Sequence, residues 1–173
     1  MLFRSRAISS QFALRCREAG AQALTLHART RTQMFSGTAN WDEIARVVAA
    51  LDIPVIGNGD ITTAADVVAM RAHTNCAGVM IARGSFGNPW IFSRARDLIA
   101  GRPARPDPSP EERFAIALEH ARLALRLQGD TRKTALEFRK HFGWYTRGVA
   151  GAAGLRERLF QIDSMQQDRK SVV

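Results

Sequence analysis

The 173 residues contain no run approaching the roughly 20 apolar residues that a bilayer-crossing helix requires, so no membrane span is expected. Cysteine is scarce. Cys16 and Cys76 lie far apart and match no metal-ligand spacing, which argues against a zinc module, any other metal site or a disulfide scaffold. Two reduced thiols among apolar residues fit a reducing cytoplasm. Acidic residues are outnumbered 16 to 25 by Lys and Arg, leaving a net charge of +9 and a pI near 11.1. An excess of this size favours a polyanionic partner, either nucleic acid or an anionic surface. Most of the positive charge is arginine, which grips phosphate bidentately. An arginine-rich genome is the plainer explanation of the same charge.

Apolar residues make up 46% and charged residues 24%, ordinary values for a globular chain and unlike a disordered one. The opening Met1-Leu2-Phe3-Arg4-Ser5-Arg6 is basic and free of acid, a faint transit-peptide pattern, but it is short and runs straight into helical sequence. Periodicity then sets out a repeating unit. A helix over 11–20 ends at Gly20, and the apolar strand Ala23-Leu24-Thr25-Leu26 follows it, ending in polar residues. Ile44, Val47, Val48 and Leu51 have the spacing of one buried helical face. Ile53 to Ile56 forms a second strand, and Thr62 or Thr63 caps the next helix. Gly78 to Ile81 forms a third. Apolar strands alternating with amphipathic helices predict an α/β fold with a parallel sheet.

Gly101 to Pro110 holds four of the six prolines and breaks the pattern. Beyond it the sequence turns helical. Ser109, Pro110 and Glu112 spell a capping box, and Phe114, Leu118, Ala121 and Leu125 are expected to form one stripe. Ala135, Phe138, Phe142 and Tyr145 face inward on a second helix, and a third helix is expected over 155–168. The organisation predicted is a strand–helix region over 1–102, a proline-rich linker over 103–110 and a helical domain over 111–173.

Ligands of parallel α/β sheets gather at the carboxyl ends of the strands. Those ends carry His27, Arg29 and Arg31; Asn58, Gly59 and Asp60; and Ala82 with Arg83. A glycine pair beside an arginine at neighbouring strand ends suits a phosphate, because glycine lets backbone N–H groups approach and arginine supplies charge. A following helix N-terminus would add its dipole. Each residue also has a plainer reading: His27 as a satisfied structural histidine, Asn58-Gly59 as a turn, Arg83 as a surface residue or the partner of Asp60.

Three segments, ALTLHARTRTQMFSGTANWDEI, IPVIGNGDI and GVMIARGSFGNPWIF, resemble consecutive signature segments of the tRNA-dihydrouridine synthases, and the similarity runs from about Ala19 onward. The resemblance implies the C-terminal part of a TIM (β/α)8 barrel, about strands 6–8, followed by a small all-α domain. It further implies FMN as cofactor, NADPH as reductant, and reduction of tRNA uridine to 5,6-dihydrouridine. Under it His27 contacts the flavin, Asn58, Gly59 and Asp60 cradle the ribityl phosphate region, and Ala82 with Arg83 holds the phosphate. The family has Gly where this chain has Ala82, a change that a backbone N–H contact survives and a positive φ does not. Arg29, Arg31, Arg132, Arg139, Lys140 and Arg147 are the expected tRNA contacts, the last four on one face of a helix.

The family's first five strands and its catalytic cysteine have no counterpart here, and neither Cys16 nor Cys76 is placed to replace that cysteine. A truncated gene, a mis-called start or a separate N-terminal half each accounts for this, truncation being the favoured reading, with little reductase activity expected of the chain alone. The competing function is a non-catalytic RNA-binding remnant. Another phosphate-binding barrel is disfavoured by the appended helical domain.

Overall fold

The computed structural model describes residues 9–34 and 36–161. The basic opening segment and residues 162–168 of the expected last helix therefore lie outside the described residues. The elements run α1 (Ser9–Glu18), β1 (Leu24–His27), α2 (Trp41–Ala50), β2 (Val55–Asn58), α3 (Ala64–Thr74), β3 (Gly78–Met80), a 3-10 turn over Arg83–Ser85, α4 (Trp90–Ile99), α5 (Pro110–Gln128), α6 (Arg132–Tyr145) and α7 (Ala152–Leu159). Among the described residues this is an α/β chain of three parallel strands and seven α-helices.

The chain forms two compact units, residues 1–85 with 91–105, and residues 86–90 with 106–173. In the first, the strands pair in sequence order with Leu24 opposite Val55 and Ile56 opposite Gly78. The pattern of apolar positions explains the packing. Ile44, Val47, Val55, Val67 and Met70 are buried around the sheet, with Val48 and Leu51 packed at their margin. Each such aliphatic side chain contributes about 1.5–3 kcal/mol of burial, which is why the short strands hold. Thr63 caps α3 through a reciprocal capping box with Asp66, worth about 1 kcal/mol. Cys76 is buried just before β3 and Cys16 is half-buried on α1.

β1 and β2 sit one and two residues later than apolar content suggests, whereas β3 starts at Gly78 as expected and ends one residue early, at Met80. β2 runs on through Gly57 and Asn58, because ladder pairing is made by backbone groups and does not end where apolar side chains do. The first helix shifts the other way, beginning at Ser9 and ending at Glu18, with Gly20 at positive φ in the turn that follows.

In the second unit the Ser109–Glu112 capping box starts α5 and Thr131 caps α6. Of the expected α5 stripe, Phe114, Ala121 and Leu125 are half-buried, but Leu118 is 50% exposed and Ala117 is buried in its place. The two helices pack where α5 offers a small side chain, and its neighbour Leu118 lies about 100° around the helix. On α6 Ala135, Phe138 and Tyr145 are buried as the spacing predicts. Phe86 stacks on Trp144 at a centroid distance of 4.3 Å, so the 86–90 segment packs within the helical unit. Arg102 and Arg105 both bond Asp97, which ties the start of the proline-rich stretch to α4.

Candidate functional site

Parallel pairing in register places His27 beside Asn58, and Asn58 beside Met80, so the carboxyl ends of the three strands form one short row. The row is bonded across. His27 Nδ1 lies 2.6 Å from Asn58 Oδ1, and Asn58 Nδ2 donates to the Met80 carbonyl at 2.7 Å. The sequence placed His27 and Asn58 at a common rim, and the strand register brings them into contact.

Behind the row sits a second set of contacts. Gly59 has φ +136°, and an added Cβ would lie 2.7 Å from the Ala39 methyl, so glycine is required both for backbone angle and for space. Its carbonyl accepts from Trp41 Nε1 at 3.1 Å. Asp60 follows with φ +56°, a left-handed conformation that Asp tolerates better than most residues. Its carboxylate accepts from Arg29 Nη2 at 2.6 and 2.8 Å and from the Ala39 N–H at 2.7 Å. Desolvation pushes the Asp60 carboxyl up, but the Ala39 N–H, the Arg29 guanidinium and the charge of Arg83 outweigh it and hold it below its ordinary value.

This arrangement alters the part expected of Arg29. The residue is only 6% exposed, and its Nη2 also donates to the Gly37 carbonyl at 2.7 Å. A guanidinium so placed anchors the loop before α2 and leaves no surface to meet an RNA phosphate. Its Nη1 is a buried donor with no hydrogen-bond partner. Arg31, two residues on, is exposed.

Beyond β3, Ala82 and Arg83 are both exposed and the chain enters the 3-10 turn. Met34, Asp60 and Asn75 are the non-glycine residues of positive φ among those described, so Ala82 stands at a position that does not demand glycine. The close approach falls instead on Gly84, where an added Cβ would lie 2.2 Å from the Ile61 carbonyl oxygen. Gly84 thus lets the β3 turn press against the segment after β2. At the start of α3, Asp66 accepts from the Thr62 and Thr63 N–H groups at 2.9 and 2.7 Å and so places a carboxylate at that helix N-terminus.

Trp41, Gly84 and the Met80 carbonyl escaped sequence reasoning. A backbone carbonyl leaves no residue-type signal, and Trp41 reads as one more apolar helix-start residue. In the helical unit Arg132 and Lys140 are exposed, Arg139 is half-buried, and Arg147 lies beyond the end of α6. The single four-residue basic face expected there is therefore not formed on one helix. His120 and His141 face each other edge-on at 4.6 Å, and burial lowers the pKa of both, with the neighbouring His120 and Lys140 adding to the effect at His141 against Glu137.

A family model described as "Dihydrouridine synthase (Dus)" matches residues 5–173. A "Probable tRNA-dihydrouridine synthase 1" of Synechocystis sp. is 41% identical over 159 residues, 92% of this chain and 44% of that protein. A "Probable tRNA-dihydrouridine synthase" of Mycobacterium leprae is 40% identical over 149 residues, 86% of this chain and 38% of that protein. The chain thus spans less than half the length of these curated relatives. A solved mandelate oxidase mutant with benzaldehyde aligns with 94% of this chain and 54% of its own at 17% identity and a TM-score of 0.36, too distant to carry any argument.

Proposed function

Because the chain belongs to the dihydrouridine synthase family, we propose that it supplies the flavin-contacting strand ends and tRNA-facing helices of a tRNA-dihydrouridine synthase. On this reading β1 to β3 are the sixth to eighth strands of a (β/α)8 barrel. The observation that carries it is the bonded row His27–Asn58–Met80 beside the Asp60–Arg29 pair, with Arg83 on the next strand end.

The residues present fit an FMN. No partner of His27 Nε2 is found among the described residues, so the ring has a nitrogen to offer to the polar edge of a heterocycle or to a ribityl hydroxyl. Asn58, Gly59 and Asp60 would line the ribityl phosphate region, and exposed Arg83, with the Ala82 backbone beside it, would hold the phosphate. When bound, FMN reduced by NADPH would supply the hydride that uridine reduction needs. The protein's share is to orient and to neutralise. Arg83 would oppose phosphate charge, and Arg29 joins the Ala39 N–H in holding the Asp60 carboxyl below its ordinary value while bonding the Gly37 carbonyl.

Arg31, Arg132, Lys140 and Arg147 are exposed cations suited to tRNA phosphates. Their contribution should weaken with salt, with a slope of about −0.7 to −0.9 per phosphate neutralised. One paired experiment tests both halves: flavin absorbance retained by the purified chain on adding FMN, and a tRNA gel shift across a salt series. Flavin and RNA binding together support the enzyme reading. A salt-sensitive shift with no flavin at any concentration supports a non-catalytic RNA-binding module instead, and the loss of both sinks the proposal.

A further inference from the structure

The row of strand ends fixes more than position. The Met80 group facing Asn58 is a backbone carbonyl, which can only accept. The Asn58 atom 2.7 Å from it must therefore be the NH2 donor, and that leaves Oδ1 turned to His27. Oδ1 in turn can only accept, so the His27 Nδ1 lying 2.6 Å away must carry the proton, since two lone pairs at that distance would repel. A backbone atom thus decides the protonation of an imidazole two strands away.

We propose that Asn58 is a positioning residue that locks His27 in its Nδ1–H tautomer, leaving Nε2 bare as a hydrogen-bond acceptor at the strand ends. The ligand atom met by neutral His27 must then be a donor, such as a ribityl hydroxyl or a ring N–H, and not a carbonyl or phosphate oxygen. The identity of that ligand rests on the flavin reading above, whereas the tautomer does not. Gly59, next to Asn58, must stay glycine for a separate reason, because a side chain there would collide with the Ala39 methyl.

The test is the imidazole nitrogen spectrum of the whole 15N-labelled chain, read by long-range 1H–15N correlation at a pH where the rings are neutral. The chain has four histidines, and the one lost in His27→Gln identifies its signals. A protonated Nδ1 with a bare Nε2 is expected. Asn58→Ala should move His27 towards the Nε2–H form, and Asn58→Asp, which keeps an acceptor for Nδ1, should restore the original pattern. An Nε2–H ring in the unaltered chain overturns the proposal, and this holds even if the variants fail to fold. A His27 pattern untouched by Asn58→Ala overturns the role of Asn58.

Adding FMN should shift Nε2 without protonating it, and Asn58→Ala should weaken FMN binding about tenfold, the equivalent of one oriented hydrogen bond. A proton gained at Nε2 on binding overturns the acceptor role. No response to FMN while the Nδ1–H form is in place counts against the flavin reading and leaves the tautomer standing.

Discussion

The strand-bearing unit packs Ile44, Val47, Val55, Val67 and Met70 around a sheet, whereas the helical unit is held by Ala117, Ala135, Phe138 and Tyr145 with two half-buried histidines among them. Their charges differ in an unexpected sense. Residues 1–105 carry 13 Lys and Arg against 7 Asp and Glu, and residues 106–173 carry 12 against 9, so the greater excess lies with the strands. Much of it is matched locally, by Arg29–Asp60, Arg17–Asp52, Arg46–Glu43 and the two arginines on Asp97. In the helical unit Arg126, Lys133, Lys140 and Arg147 stand exposed. Net charge therefore does not by itself locate a surface for a polyanion, since Arg29 is buried in its pair whereas Arg46, Arg102 and Arg105 stay more than half exposed beside their acids.

The sharpest way to break this contrast is Arg29→Met. Removing the buried partner of Asp60 should destabilise the strand unit by about 2–3 kcal/mol, under the value for a fully buried pair because the Asp60 side chain keeps 29% of its exposure. Amide hydrogen exchange should show protection lost in the strands but not in α5 and α6. Equal loss in both units would show that Arg29 is not a local anchor. Gly84→Ala comes next, at about 1–3 kcal/mol, since its methyl would overlap the Ile61 carbonyl. An unchanged denaturation midpoint would disprove that close approach.

Acidification separates the units by a smaller effect. His120 and His141 have pKa values lowered in the fold, so the unfolded chain binds protons first, and their contribution to stability is present above the ordinary value of 6.5 and lost as pH falls through the folded values. Asp60 is also lowered, but from 3.8, so its contribution survives to stronger acid. The helical unit should lose exchange protection first as pH falls below 6.5, and His120→Phe should blunt that loss. If the strands open first, the ordering is wrong. The smallest effect is Lys140→Ala, which should leave stability within about 0.5 kcal/mol and reduce the salt slope of tRNA binding by about 1. A slope that does not change would remove Lys140 from the RNA surface.

Much of the strand unit was legible in the sequence because its signals are local. Ile44 and Val47 declared a buried face, Thr62 or Thr63 a cap, and the polar residues after each strand a common end. Arg29 was misread for a physical reason. An arginine two residues past a strand looks exposed, and nothing local announces that a left-handed Asp60, 31 positions later, will receive its guanidinium. Leu118 alone of the α5 stripe departs from expectation, because Ala117 and Leu118 both fit an apolar helix and only packing against α6 decides which one turns inward.

The sequence alone determined the order of the elements, the caps and the break at the proline-rich stretch, since these depend on backbone preferences and on periodicities of a few residues. The tertiary structure decided which arginine is structural, which glycine is crowded and which nitrogen of His27 holds its proton. Those outcomes depend on groups from different strands meeting within hydrogen-bond distance, and no short-range pattern encodes such a meeting.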